Sequence, residues 1–441
     1  MFFGTQTINS KGHLEIGGCD TVELAQSFGT PLYVMDEALI RQNCRDYIGG
    51  FRSRYADTEI AFAGKAFLTA AMCRILEQEG MSLDVVSAGE MYTALKAGFP
   101  VERLFFHGNN KSPGELSMAL EHGVGRIVVD NLRELEILNS LAVESGRTAD
   151  ILLRLTPGID PHTHQLIRTG QADTKFGMNI KDGTAMQAVR RALECEGISL
   201  RGIHCHVGSQ LFDLEAHRGA VRVFVEFLKD AQAETGAVLQ EMNTGGGLGI
   251  AYTKDDEPPT IDRFAETIVS EFTAAIEESG LGFNPRLIQE PGRSIVGTAG
   301  TTLYTVGTIK RVPIQEEPGY RTYIAVDGGI TDNPRPALYQ AVYTPIVANK
   351  ANAEASEVVT ISGKHCETDT LISGAEIAPV EPGDIVAVLS TGAYNYAMAS
   401  NYNRFPRPAV ILAADGRADV IVKRETLEDI VKNDVIPERL G

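Results

Sequence analysis

The amino-acid sequence predicts an α/β fold, a (β/α)8 TIM-like barrel followed by a mostly antiparallel β domain. Short apolar runs alternate with amphipathic stretches between residues 36 and 298, at mostly even spacing. Polar groups collect where those runs stop, as they do at the mouth of a parallel barrel. After residue 299 the texture changes to β-branched runs separated by Gly, Pro and charged turns.

In chain order the apolar runs are EIAFA at 59–63, LDVVS at 83–87, LFFHG at 104–108, IVVD at 127–130, ILLRL at 151–155, GIHCHV at 202–207, LQEMN at 239–243 and RLIQE at 286–290. Between them lie TAAMCRILEQEG, AGEMYTALKAG, SPGELSMALEHG and TIDRFAETIVSEFTAAIEESG. Many of these stretches open with Ser or Thr and close on Gly, the pattern of capped helices. They place the barrel at 36–298. A doubly wound open sheet is the structural rival on pattern alone. TTLYTVGTIKRV, TYIAVDGG, EVVTISG, DIVAVLS, PAVILAAD and ADVIVKRE then read as strands of a β domain over 299–441. The segment 1–35, with the strand candidate GHLEIGG, is expected to contribute to that domain.

Composition narrows the function. Of 441 residues, 43% are hydrophobic and 22% charged, which suits a globular chain with a large core. The six cysteines show no CxxC pair or regular framework, a usage that fits a reducing compartment. The formal net charge of −18, with no basic cluster, argues against nucleic acid and anionic membrane as partners. The first thirty residues lack a signal-peptide pattern, and no run approaches a membrane span. A cytoplasmic enzyme acting on a small molecule is the expectation.

Read in order, the strand ends present Lys65, Ser87 with Glu90, His107-Gly108-Asn109, Asp130, Arg154, His206 with Ser209, Gly245-Gly246-Gly247 and Glu290. A barrel with no site would not need so many polar groups there. An isolated lysine normally snorkels to solvent. At a barrel mouth, desolvation would instead favour the free amine of Lys65 and an imine with an aldehyde. A glycine run is usually a turn, but TGGGLGI at a strand end lets backbone amides approach a phosphate. His204 and His206 share one strand face, with Cys205 between them. No second ligand cluster accompanies them, so no metal site is expected; a His206 stacked on a ring, with Ser209 near a phosphate, fits better. The pair of histidines in HTH at 162–164 carries no assignment. Glu290, followed by Pro-Gly-Arg, is placed to keep a ring nitrogen protonated.

The pieces AFAGKAF, SLDVVSAGE, HGNNK, DTKFGM, HCHVGSQ, NTGGGLGI, EPGRSIVGTAG, DNPRPALY, HCETDT and GAYNYAMASNYNRFPRP are specific in their order and spacing, from about residue 30 to 415. On them the chain resembles the diaminopimelate decarboxylases, within the alanine-racemase-like barrel class of pyridoxal-phosphate enzymes. The resemblance implies pyridoxal 5′-phosphate as cofactor, decarboxylation of meso-2,6-diaminopimelate to L-lysine, and the last step of lysine biosynthesis. It implies that Lys65 holds the cofactor as an imine, that His206 stacks on its ring and that Glu290 pairs with its nitrogen. Ser209, Gly245, Gly246, Gly247, Pro291, Gly292, Arg293 and Tyr394 would surround the phosphate or its neighbourhood. Arg293, Arg335, Tyr339, Glu367 and Tyr394 would grip the substrate, and Cys366 would return the proton that replaces carbon dioxide.

The resemblance also implies a homodimer whose site is shared, with Cys366, Glu367 and Tyr394 coming from the partner chain. Arginines make two-pronged contacts with carboxylates, so Arg335 suits a substrate with a second amino-acid head better than ornithine, which ends in a bare ammonium. A decarboxylase for carboxynorspermidine, ornithine or arginine, an amino-acid racemase and a catalytically dead regulator are the alternatives. Two positions depart from the family pattern: Phe67 stands where members often carry Asn, and Asp369 lies one position early.

Overall fold

The computed structural model describes residues 1–158, 175–314 and 318–441. The histidines at 162–164 and the first two residues of DTKFGM lie outside the described residues. The chain divides into two compact units, one of Gln42–Ile250 and Glu257–Ile295, the other of Met1–Arg41, Ala251–Asp256 and Val296–Gly441.

The first unit is a closed parallel barrel. Its strands are β1 (Thr58–Ala63), β2 (Ser82–Val85), β3 (Leu104–Phe106), β4 (Arg126–Val129), β5 (Ala149–Thr156), β6 (Ile198–His204), β7 (Glu241–Asn243) and β8 (Arg286–Gln289). Each pairs in parallel with the next, and β8 closes the ring on β1 through Leu287–Thr58, Ile288–Glu59 and Gln289–Ile60. This excludes the open doubly wound sheet. The helices between strands carry the caps that the sequence signals. Thr69, Ser87 and Thr260 each accept a first-turn backbone N–H, Ser112 and Glu115 form a reciprocal capping box, and Gly123 and Gly280 end their helices in left-handed geometry. Ala61, Phe105, Val128, Leu152 and Ile288, from β1, β3, β4, β5 and β8, form a buried cluster. The barrel is thus filled by side chains, leaving its chemistry to the strand ends.

The second unit is a mostly antiparallel sheet. Its main path runs Thr370–Ile377, Glu357–Ser362, Tyr320–Val326, Gly300–Pro313, Leu32–Asp36, Ala409–Ala414 and Arg417–Val422, with Pro345–Val347 and Ile385–Val388 attached beside it. Within the N-terminal segment, the strand candidate GHLEIGG stays outside the large sheet. Leu14–Ile16, within GHLEIGG, pairs only with Thr7–Ile8 and Cys19–Asp20 in a separate small sheet. The strand that enters the large sheet is Leu32–Asp36, buried at all five positions and hydrogen-bonded on both edges. Leu14 and Ile16 still share a core with Leu32, Val34, Leu303, Ala387 and Ile411. Thr370–Ile377 is a further strand absent from the sequence reading.

Truncating Phe105 to Ala would leave a void inside the closed barrel and should cost about 3–5 kcal/mol. Urea unfolding of the Phe105→Ala variant beside the parent protein checks this.

Candidate active site

The mouth of the barrel is assembled where β1 meets β8. The Ala63 amide donates to the Pro291 carbonyl at 2.9 Å, tying the end of β1 to the loop after β8. Directly after Ala63 the chain turns through Gly64–Ala66, which presents Lys65. A Cβ on Gly64 would lie 2.7 Å from the Asp84 carbonyl oxygen, so a larger residue would push this turn off β2. Gly292 faces the same turn, its missing Cβ standing 3.0 Å from Ala63 Cβ and 3.2 Å from Ala66 Cβ. Lys65 and Glu290 therefore project from neighbouring strand ends. The Lys65 side chain is exposed, in contrast to the desolvated lysine expected from the sequence. Phe67, two residues on, is buried.

Glu290 is held by three side-chain donors at the mouth. Its Oε1 accepts from His107 Nε2 at 2.8 Å and from Asn243 Nδ2 at 2.7 Å, and its Oε2 accepts from His204 Nε2 at 3.0 Å. Burial works against the charge, but His107 and His204 outweigh it and hold the carboxyl well below the usual range. His204 is itself neutral: burial pushes it down to about 4, and its Nδ1 has no hydrogen-bond partner among the described residues. An imidazole with one bare nitrogen donates through the other, so the His204 N–H points at Glu290. Among the described residues Oε1 thus accepts two bonds while Oε2 accepts one and keeps a lone pair unspent. His107, His204 and Glu290 also lie close enough together to be considered as metal ligands. Their mutual hydrogen bonds account for the same atoms without an ion.

The three consecutive glycines of TGGGLGI are required by what approaches them. Gly245 (φ +70°) and Gly247 (φ +128°) adopt conformations that L side chains rarely reach. A Cβ on Gly245 would lie 2.5 Å from the Cys205 carbonyl oxygen, and one on Gly247 2.6 Å from that of Gly208. Asn243 sets the loop as well, since its Oδ1 accepts from the Gly245 amide at 2.9 Å while its Nδ2 serves Glu290. From beneath, His217 Nε2 contacts the Gly246 carbonyl at 3.2 Å. Arg293 donates to Ser209 Oγ at 2.9 Å, joining the loops after β6 and β8. The result is a tightly packed glycine loop, with Arg293 joining the adjacent strand ends, the kind of backbone suited to a phosphate. His206 is half-buried, and burial, then the charges of Lys65 and Arg154, hold its imidazole well below the usual range.

Two more carboxyls belong to this mouth. Burial pushes Asp84 up to about 6, and Glu90, which also accepts from the Val86 amide at 2.7 Å, up to about 7. Lys111 of HGNNK is structural: its ammonium is buried and donates to the Gly108 and Val128 carbonyls and to Glu134, at 2.8, 2.7 and 2.7 Å. Arg154 stacks on Phe176 at 4.3 Å and approaches Asp130 at 3.9 Å.

The remaining candidates lie in the β unit. Arg335 opens the short helix Arg335–Tyr339 and is buried; its Nε donates to Tyr343 Oη at 2.9 Å. The rings of Tyr339 and Tyr394 each lie 5.5 Å from its guanidinium and that of Tyr252 lies 5.8 Å away. Asp332 anchors the turn before it, accepting from Gly329 N at 2.9 Å and from Tyr304 Oη. Cys366 and Glu367 are exposed on a loop held at its base by Asp369, which accepts from His365 Nδ1 at 2.5 Å and Ile330 N at 2.8 Å. The early Asp369 thus closes the loop by folding back on it. Tyr402 Oη donates to Glu367 at 2.6 Å, and Cys366 N to Asn403 Oδ1 at 3.4 Å.

Comparison with known proteins places these features in a family. Residues 39–297 match the pyridoxal-dependent decarboxylase, pyridoxal binding domain. The chain is 50% identical to the diaminopimelate decarboxylase of Bacillus subtilis, covering 99% of this chain and 98% of that one. With the diaminopimelate decarboxylase of Mycobacterium tuberculosis the identity is 41%, over 97% and 96% of the two chains. The solved diaminopimelate decarboxylase of M. jannaschii in complex with L-lysine superposes with a TM-score of 0.93 at 37% identity, over 99% of each chain.

The Asp332 carboxyl, which burial pushes up to about 7, makes stability depend on pH. Unfolded, it titrates near about 4, so between about pH 4 and 7 the folded state retains a proton that the unfolded chain has released. Stability should therefore decline as pH rises through that window because of this residue. Urea unfolding at several pH values should show a smaller decline in Asp332→Asn, which is neutral throughout.

Proposed function

The chain belongs to the diaminopimelate decarboxylases, and from that premise we propose that it releases carbon dioxide from meso-2,6-diaminopimelate to leave L-lysine, with pyridoxal 5′-phosphate as cofactor and as the last step of lysine biosynthesis. The observation that carries this reading is the Glu290 carboxylate, kept ionised with one lone pair of Oε2 unspent. A pyridinium N–H is the donor that such an acceptor fits. The glycine loop Gly245–Gly247, with Ser209 and Arg293, fits the phosphate of the same molecule.

When bound, the cofactor supplies a protonated ring that takes up the electron pair left as the carboxylate departs. The chain's own residues do the rest. Glu290 keeps the ring nitrogen protonated, and His107, His204 and Asn243 keep Glu290 charged. His206, neutral, would stack on the ring. Lys65 would provide the amine that anchors the aldehyde, and Pro291 and Gly292 pack against the Lys65 turn. Cys366 delivers a proton from Sγ to the carbon that has lost carbon dioxide, and the thiolate regains its proton from solvent. Arg293, Arg335, Tyr339, Glu367 and Tyr394 hold the substrate, with Arg335 on the carboxylate of the head that does not react.

The working unit is a homodimer in the cytoplasm, in which one protomer completes the site of its partner with Cys366 and Glu367, while Tyr394 stays beside Arg335 of its own chain. Within the chain, the 36–298 region is the cofactor-binding barrel, which also supplies Arg293, and 1–35 with 299–441 form the β domain that supplies Arg335, Tyr339, Cys366, Glu367 and Tyr394. Among the described residues no helix is long and apolar enough to cross a membrane.

Carbon dioxide release from diaminopimelate, ornithine and arginine, assayed in parallel on purified protein with pyridoxal 5′-phosphate, tests the reading. Release from diaminopimelate far above the other two is expected, whereas a preference for ornithine or arginine would overturn it. Replacing Cys366 by Ala should slow turnover by about 100-fold or more while the cofactor's visible absorbance is retained. Unchanged turnover would remove Cys366 from the mechanism.

A further inference from the structure

Arg335 is only 8% exposed, yet among the described residues it makes no ion pair. A guanidinium taken out of water without a carboxylate is unfavourable unless something else holds it or an anion arrives to meet it. What holds it is aromatic. The rings of Tyr252, Tyr339 and Tyr394 surround the cation, and one polar contact, to Tyr343 Oη, takes up its Nε.

We propose that Tyr343 is a specificity-determining positioning residue, whose hydroxyl fixes Arg335 so that its two terminal nitrogens face the substrate's distal carboxylate. This rests on the reading that Arg335 binds that carboxylate. A guanidinium can grip a carboxylate side-on, through Nε and one terminal nitrogen, or end-on, through both terminal nitrogens. With Nε committed to Tyr343, the side-on fork is closed and the end-on fork remains.

Tyr343 is itself immobilised. It is 2% exposed, and its ring meets Tyr252 edge to face at 5.2 Å. Its hydroxyl lies 3.4 Å from the Asn395 side-chain amide. Burial raises the phenol well above its ordinary range, so the hydroxyl stays neutral and offers Arg335 a lone pair instead of a competing anion. The neighbouring Thr344 hydroxyl donates to the Tyr252 carbonyl at 2.9 Å, so the two tyrosines that flank the guanidinium are locked to each other through backbone as well as ring. A charged residue in place of Tyr343 would pair with Arg335 and compete with the substrate. A phenol orients the cation without neutralising it.

Tyr343→Phe removes the oxygen and keeps the ring, and Arg335→Met serves as the companion variant. Two inhibitors separate the possibilities: L-lysine, which carries the unreacted head, and cadaverine, the same chain without a carboxylate. In Tyr343→Phe the KM for diaminopimelate and the inhibition constant of L-lysine should each rise about tenfold, the loss expected for one hydrogen bond to a charged group. Inhibition by cadaverine should not change. If both inhibitors weaken equally, Tyr343 is merely structural and the proposal falls. It also falls if Arg335→Met erases the preference for L-lysine over cadaverine while Tyr343→Phe leaves that preference intact. If Arg335→Met itself leaves the preference unaltered, the reading of Arg335 fails first.

Discussion

One carboxylate governs this barrel. Glu290 is buried at the end of β8 and remains charged because three donors converge on it from β3, β6 and β7. Removing a carboxylate from water is costly, and each N–H–O contact offsets part of that cost only if its geometry is kept. The closed barrel supplies the geometry. Its parallel strands end in one ring, so residues far apart in the chain can meet at the last position of each strand. Asn243 links this requirement to the glycine loop, since one side chain serves both Glu290 and the Gly245 amide. A shift that disturbed the loop would also loosen the acid.

The two units divide the chemical labour. The barrel gathers the groups suited to a heterocycle and its phosphate, on strand ends that the helices behind them hold rigid. The β unit gathers the groups suited to a zwitterionic substrate: a caged guanidinium and an exposed Cys-Glu loop. Each set is incomplete as a decarboxylase. Among the described residues Arg335 is buried without an ion pair, whereas Cys366 is exposed.

Much of the fold was legible because strand and helix patterns leave local marks. The barrel runs from EIAFA to RLIQE coincide with observed strands, and the Ser and Thr caps sit where helices begin. Leu32–Asp36 was not legible, because a strand buried on both faces shows no alternation and PLYVMD lies against the start of a helical stretch. Thr370–Ile377 was obscured by Ser-Gly at 373–374, where Gly374 takes positive φ. In the site, Lys65, the glycines and Glu290 announced themselves by position. The roles of His107, His204 and Asn243 did not, since they depend on contacts spanning 183, 86 and 47 residues. Arg335, Cys366 and Glu367 could be assigned only through family resemblance, and nothing local distinguished Tyr343 from the other tyrosines around it.

The charge state of the ring nitrogen opposite Glu290 tests the central claim most directly. Nitrogen-15 NMR of the holoenzyme, loaded with pyridoxal 5′-phosphate labelled in the ring, should give a pyridinium shift with a resolved one-bond N–H coupling at about pH 7–8. A shift typical of neutral pyridine under those conditions would contradict the account.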